Sequence, residues 1–283
     1  MIKIITDSTC DIPAELIEKY GIDVVPCYLI WGNEQYRDRV DLQPEEFYRR
    51  LEADPSDRPT SSQPLASDFA RAFQKAFAEG ASGVVCLTIS SAMSGTFQSA
   101  TIAAQDAPLP VQVIDSHGPT MMLGWQVLAA ARAAEKGADL AEVVQAAEQV
   151  FKSITLLVAL ESMSFLESGG RVGDAVRWLG KTLSIKPLVA VSRSSGKVVP
   201  VALMRTHKAL VEGLLKHFLE SMRGFSKVYV AVMHGDALAE AQQLAARLAA
   251  ELNPAELIIQ ITGPVLGLNT GPQALAVCGY GED

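Results

Sequence analysis

Apolar residues along the chain alternate between short runs and helical spacing, which predicts alternating strands and helices. Residues 84–89 form a short run with β-branched side chains and no helical period, as in a buried strand. Apolar positions 65, 69, 73 and 77 recur at helical spacing and predict a helix that ends at Gly80. With further strands expected at 2–6 and 111–114 and helices at about 119–136 and 139–152, the first half predicts a three-layer α/β/α domain around a parallel sheet.

Three segments depart from this alternation. Segments 24–31 and 36–40 flank a Gly-Asn-Glu turn and predict a small hairpin inserted at the sheet edge, at about 24–40. Residues 54–64 carry three prolines and four hydroxyls, so we expect no regular structure there. The Gly/Pro-rich segment 262–272 is likewise expected to be a loop.

The second half predicts a mixed sheet. Strands are expected at 185–191, 197–204, 227–233 and 256–261, with helices at 207–222 and 236–252. The tight turn at 193–196 makes the first two strands an antiparallel hairpin, which favours a C-terminal α+β domain. We place the boundary near the strand at 154–160, giving an N-terminal domain of 1–158 and a C-terminal domain of 159–283.

The loop after the strand at 84–89 carries candidate binding groups. Ser90, Ser91, Ser94 and Thr96 surround Gly95, and a helical pattern follows. The free N–H groups and dipole of a helix N-terminus favour an anion at such a place. A loop that merely caps the helix would have the same composition, so both interpretations stay open.

Two other predicted strands also end in polar residues, one at Asp7-Ser8 and the other at Asp115-Ser116. In an open parallel sheet, ligands bind beyond the carboxyl ends of the strands. The recurrence favours a polar site on one rim of the sheet. Turn residues that simply end the strands are the alternative.

Composition and charge narrow the class of protein. The 283 residues are 49% hydrophobic and 20% charged, which is typical of a globular protein of about two domains. The net charge of −8 and the scattered basic residues argue against nucleic-acid binding. We expect no signal peptide and no membrane span, and hence a cytoplasmic protein with reduced thiols at Cys10, Cys27, Cys86 and Cys278.

Groups for catalysis or metal binding are few. The Gly180-Lys181-Thr182 stretch lacks the glycine that a phosphate-binding loop needs at position 175. No nucleophile-elbow motif surrounds Ser94, and the four histidines show no metal-ligand spacing. We therefore expect no metal and no cofactor, although a hydrolase or transferase using Ser94, or a binder of a phosphorylated small molecule, stays open as the alternative.

Seven ordered motifs stand out along the chain. They are Asp7-Ser-Thr-Cys-Asp-Ile-Pro13, Pro59-Thr-Ser-Ser-Gln-Pro64, Ile89-Ser-Ser-Ala-Met-Ser-Gly-Thr-Phe-Gln-Ser-Ala100, Val113-Ile-Asp-Ser116, Leu166-Glu-Ser-Gly-Gly-Arg171, Ile185-Lys-Pro187 and Gly263-Pro264 with Thr270-Gly-Pro272. With these motifs in this order, the chain resembles the DegV family of fatty-acid-binding proteins.

The resemblance implies a non-catalytic carrier of two α/β-type domains that buries a long acyl chain. It implies that hydroxyls of the second and third motifs hold the carboxylate, and the matching candidates are Ser61, Ser62, Ser91, Ser94 and Gly95. It also implies presentation of the fatty acid to a kinase similar to dihydroxyacetone kinases, which makes an acyl phosphate for phospholipid synthesis. Arg171 and Arg205 match family positions linked to that kinase or to the phosphate.

The last motif departs from the family pattern. In the family this motif usually ends in His-Thr-Gly-Pro-Gly. In this chain Asn269 replaces the histidine, and Gln273 replaces the final glycine. Asn269 can still donate a hydrogen bond to a carboxylate or an acyl phosphate, but it cannot carry charge. The change from histidine to Asn269 therefore affects the expectation of chemistry coupled to the kinase more than the expectation of lipid binding.

Overall fold

The computed structural model describes residues 1–178 and 185–283, and the Gly180-Lys181-Thr182 stretch lies outside the described residues. The strands are β1 Ile2–Asp7, β2 Asp23–Val25, β3 Tyr28–Trp31, β4 Glu34–Arg37, β5 Thr60–Ser62, β6 Gly83–Thr88, β7 Val111–Asp115, β8 Thr155–Ala159, β9 Lys186–Val191, β10 Val198–Met204, β11 Lys227–His234, β12 Glu256–Ile261 and β13 Leu275–Glu282. The helices are α1 Ala14–Lys19, α2 Pro44–Ala53, α3 Ala66–Ala78, α4 Thr96–Gln105, α5 Met121–Glu135, α6 Leu140–Ser153, α7 Ser164–Gly169, α8 His207–Ser221, α9 Leu238–Leu252 and α10 Pro264–Thr270.

The first sheet is parallel and has the strand order β2-β1-β6-β7. Every residue of β6 is buried, because α3 and α4 cover one face of the sheet while α5 and α6 cover the other. Burial on both faces explains the continuous apolar run of this strand. The predicted three-layer α/β/α arrangement is confirmed.

The second sheet is mixed and has the order β10-β9-β8-β13-β11-β12, in which only the β11–β12 pair is parallel among the described strands. Helices α8 and α9 cover one face, and α5 and α6 pack against the other. The α5–α6 layer therefore lies between the two large sheets. The mixed C-terminal sheet is confirmed. Strand β8 belongs to this second sheet, so a division between the two large sheets falls before Thr155 and not after residue 158. The division of the chain into two domains stays a prediction.

The predicted hairpin is confirmed as β3 and β4, although segment 24–31 is not one strand. It breaks at Pro26 and Cys27, so that β2 joins the first sheet and β3 joins a small sheet of order β4-β3-β5. The prediction that residues 54–64 have no regular structure is wrong for β5. This short strand lies between Pro59 and Pro64 and pairs antiparallel with β3.

Two further corrections concern the end of the chain. Residues 264–270 form α10, not a loop, with Pro264 at the first helical position, where its missing N–H costs no hydrogen bond. Residues 275–282 form β13, a central strand that the sequence analysis did not predict. No helix in the described ranges is long and apolar enough to cross a membrane.

Candidate functional site

A cavity of about 310 Å³ lies where the rim of the first sheet meets the second sheet. Its lining comes from the loops after β1 and β6, from the small sheet, from β8 to β10 and from α10. This site is therefore assembled from segments spread over the whole chain.

One wall of the cavity is aliphatic. Val158 of β8 stands opposite Val189 of β9, and Val191 of β9 opposite Val198 of β10, all within the second sheet. β-Branched side chains on paired strands have few rotamers, so this wall is rigid. It offers a hydrocarbon chain an apolar contact surface without polar partners.

Ser61 and Ser62 belong to the polar wall, on β5. Ser61 is half-buried, and its hydroxyl has no hydrogen-bond partner among the described residues. Ser62 is exposed, and its hydroxyl donates to the carbonyl of Gln63 at 3.4 Å. The Ser61 hydroxyl is thus free to bind a ligand in the cavity.

Ser94 joins the same wall from the loop before α4. Its Oγ lies 2.8 Å from Thr96 Oγ1 and accepts a hydrogen bond from Thr96 N at 3.3 Å. The residue at the N-cap position is Gly95, which supplies no side chain to cap the helix. Ser94 therefore partly satisfies the free N–H groups of α4 and still faces the cavity.

Two of the residues predicted to bind the carboxylate, Ser91 and Gly95, do not line the cavity. Ser91 is exposed, and its N–H donates to the Asp115 carboxylate at 3.2 Å. Gly95 instead packs under the Gln63 side chain, which does line the cavity.

Asn269 lines the cavity from α10, together with Thr270. Its Nδ2 donates to the carbonyl of Val265 at 3.0 Å. Its Oδ1 is buried without a hydrogen-bond partner among the described residues and packs against Gly169, where a Cβ atom would collide with it. Through Oδ1, Asn269 thus packs α10 against α7. Its Nδ2 makes one hydrogen bond, so the second Nδ2 hydrogen is available to a ligand in the cavity.

The structure separates the two predicted arginines. Arg171 is exposed at the cavity wall, where its Nη1 donates to the carbonyl of Gly169 at 2.6 Å and its Nε to that of Met93 at 3.4 Å. Arg205 is exposed between β10 and α8 and does not line the cavity. Only Arg171 is placed to act at this site.

Two buried acids, Asp7 and Asp38, lie behind the polar wall, and the sequence pointed only to Asp7, as part of the predicted polar rim. Asp7 accepts hydrogen bonds from the N–H groups of Thr9 and Ile89, two lining residues, and burial raises its pKa. The Asp38 carboxylate accepts from Ser8 Oγ at 2.7 Å, and Ser8 Oγ accepts from the N–H of Cys27, another lining residue, at 3.0 Å. Burial raises the pKa of Asp38 to about 7. The Asp7-Ser8 strand end was the one signal for this cluster.

A buried ion pair positions α10. Asp11 and Arg39 lie 2.6 Å apart, and the Asp11 carboxylate also accepts from Gly263 N at 2.9 Å at the start of the helix. The Arg39 guanidinium also donates a hydrogen bond to the carbonyl of Ile261 at 2.7 Å. These contacts tie the helix that carries Asn269 to the loop after β1.

In the part of the chain that the structure describes, no group of three His, Cys, Asp or Glu side chains is arranged to hold a metal ion. None of the four histidines, at positions 117, 207, 217 and 234, lines the cavity.

Comparisons with known proteins extend the motif resemblance to the whole chain. A sequence profile of the DegV family matches residues 1–282. A DegV domain-containing protein of Streptomyces coelicolor is 33% identical over 279 residues, which cover 98% of this chain and 97% of that protein.

Two solved structures match in fold as well as in sequence. A fatty-acid-binding DegV family protein from Thermus thermophilus is 32% identical, with a TM-score of 0.90 and coverage of 99% of each chain. A stearic-acid-binding protein from Eubacterium ventriosum is 25% identical, with a TM-score of 0.92 and coverage of 99% of this chain and 98% of that chain.

Proposed function

Because the chain belongs to the DegV family, we propose that it is a carrier that binds one long-chain fatty acid in the cavity of about 310 Å³. The observation that carries this proposal is the division of the cavity lining. Aliphatic side chains of the second sheet form one wall, and hydroxyl and amide groups from separate loops form another. A fatty acid has the same division, into a hydrocarbon chain and a carboxylate.

The carboxylate is proposed to accept hydrogen bonds from Ser61, Ser94 and Asn269. Hydrogen bonds to a charged group contribute roughly 1.5–3 kcal/mol each, so neutral donors suffice without a buried cation. The chain is proposed to lie along Val158, Val189 and their neighbours. Each buried CH₂ contributes about 0.8 kcal/mol, so the chain supplies most of the affinity.

Binding fits the groups around Ser94 better than serine-dependent hydrolysis does. A serine nucleophile needs an adjacent base. The hydrogen bonds of the Ser94 hydroxyl are to Thr96, and the ionisable side chains among the described lining residues are Cys27 and Arg171, neither bonded to Ser94. The aliphatic wall likewise offers no partner to a phosphorylated polar molecule.

We also propose that the carrier presents the bound acid to a fatty acid kinase. The family resemblance and the exposed position of Arg171 beside the polar wall support this step. Loaded protein, a bacterial fatty acid kinase and ATP should yield an acyl phosphate that hydroxylamine traps. An Arg171→Ala variant that still binds the acid but gives as much trapped product as the parent would contradict the role of Arg171.

Matched ligands test the binding proposal. Palmitic acid and hexadecanol have the same chain and differ at the end that would meet the hydroxyls. Calorimetric titration of delipidated protein should show one palmitate bound per chain and weaker binding of the alcohol. Equal affinity for the two would contradict the carboxylate site, and binding of neither would contradict the carrier function.

A further inference from the structure

The loop that carries Ser61 and the loop that carries Ser94 belong to different sheets. Ser61 lies on β5, which is paired to the hairpin through Leu29, whereas Ser94 follows the parallel strand β6. A carboxylate needs both hydroxyls at a fixed separation, because misplaced donors lose hydrogen-bond energy. Something must therefore hold the two loops together.

Gln63 makes that connection. Its Nε2 donates to Ser99 Oγ at 3.1 Å, one turn into α4. Among the described residues, this is the one hydrogen bond that joins segment 60–64 to segment 89–100. Pro64 follows Gln63 directly and restricts its backbone to extended conformations, which favours a defined direction for the side chain.

Gly95 provides the space for this side chain. A Cβ atom at Gly95 would lie 2.7 Å from Gln63 Nε2 and closer still to Oε1, whereas real Cβ atoms essentially never come within 3.0 Å of another atom. The φ angle of Gly95 is −77°, which any residue can adopt. A methyl group at position 95 would therefore have to displace the Gln63 carboxamide, whereas the backbone conformation of Gly95 places no restriction on the residue there.

We propose that Gln63 is a positioning residue that, laid across Gly95 and bonded to Ser99, holds Ser61 and Ser94 at the separation that a carboxylate requires. This inference rests on the proposed fatty-acid binding. It assigns Gly95 and Ser99 a role in binding although neither lines the cavity.

Ser99→Ala is the decisive variant. Ser99 is buried on α4 and does not line the cavity, so its removal takes no group from the ligand. We expect palmitate affinity to fall about three- to tenfold, the range for one net hydrogen bond. Gln63→Ala should have a similar effect, and the two changes together should cost no more than either alone. Gln98→Ala, an exposed glutamine on the same helix, is the matched control and should bind like the parent.

A steric variant tests the same contact from the other side. Gly95→Ala should weaken palmitate binding because its methyl group displaces the Gln63 carboxamide, and it should add little in a Gln63→Ala background. Thermal unfolding of each variant establishes that it is folded, and affinities are compared among folded variants.

The outcomes separate this inference from the proposed function. Suppose that the parent binds palmitate and that Ser99→Ala and Gly95→Ala both bind it as tightly as the parent does. Gln63 then does not position the hydroxyls, and the carrier function stands. If Gln63→Ala and Ser99→Ala are additive, Gln63 acts as an independent ligand contact and the inference is wrong. If the parent binds no fatty acid, the proposed function itself fails.

Discussion

Removal of the Ser61 hydroxyl should weaken fatty-acid binding without weakening the fold. The hydroxyl has no hydrogen-bond partner among the described residues, so Ser61→Ala leaves no protein group unsatisfied and should change the unfolding free energy by less than about 0.5 kcal/mol. A buried carboxylate that loses one donor should lose roughly 1–3 kcal/mol of binding free energy. That corresponds to a rise in Kd of about 5- to 150-fold.

The assay is a titration of delipidated protein with a fluorescent fatty acid below its aggregation limit, paired with chemical denaturation of the same samples. Thr60→Ala is the matched control, because Thr60 is exposed on the same strand and does not line the cavity. We expect the control to match the parent in both measurements. A Ser61→Ala variant with parental affinity would refute the assignment of Ser61 to the carboxylate. Equal losses in the two variants would refute it as well.

Two further predictions address the apolar wall and the buried acids. Val189→Phe should fill part of the cavity, displace about two methylenes at about 0.8 kcal/mol each and shift the bound acids toward shorter chains; an unchanged chain-length profile by mass spectrometry would contradict the acyl wall. Burial raises the pKa of Asp38 from 3.8 to about 7, so the folded protein retains a proton that the unfolded chain releases, and stability should fall as pH rises from about 4 to about 7. Asp38→Asn mimics the protonated acid and should reduce that slope in denaturation series at pH 5 and 8; a slope equal to that of the parent would mean that other groups cause it.

The sequence predicts the elements whose signals are local. The strand β6, the loop after it and α4 follow from an apolar run, a hydroxyl-rich loop and a helical pattern within one short stretch. In contrast, β5 has only three residues and exists because it pairs with β3. Likewise α10 has seven residues and is stabilised at its start by Asp11, which lies far away in the sequence.

The strand β13 escaped prediction because glycines interrupt its apolar pattern. The structure gives the reason for Gly279: a Cβ atom there would lie 2.5 Å from the carbonyl of Tyr229 and 2.7 Å from the ring of Phe218. The requirement comes from neighbours on another strand and a helix, which no local pattern records.

The same limit applies to the site. Ser61, Ser94 and Asn269 could be found because each belongs to a family motif, and the structure brings them to one cavity. Gln63 lies inside such a motif, but its contact with Gly95 and Ser99 depends on how two sheets meet. Asp38 gave no signal at all, because its partner Ser8 lies thirty positions earlier in the chain.

The most direct test of the carrier function is the ligand content of protein purified under non-denaturing conditions. Native mass spectrometry should show a mass increase equal to one long-chain fatty acid on most molecules, and organic extraction followed by gas chromatography should identify that acid. Folded protein at its bare sequence mass, with an extract free of fatty acids, would contradict the account.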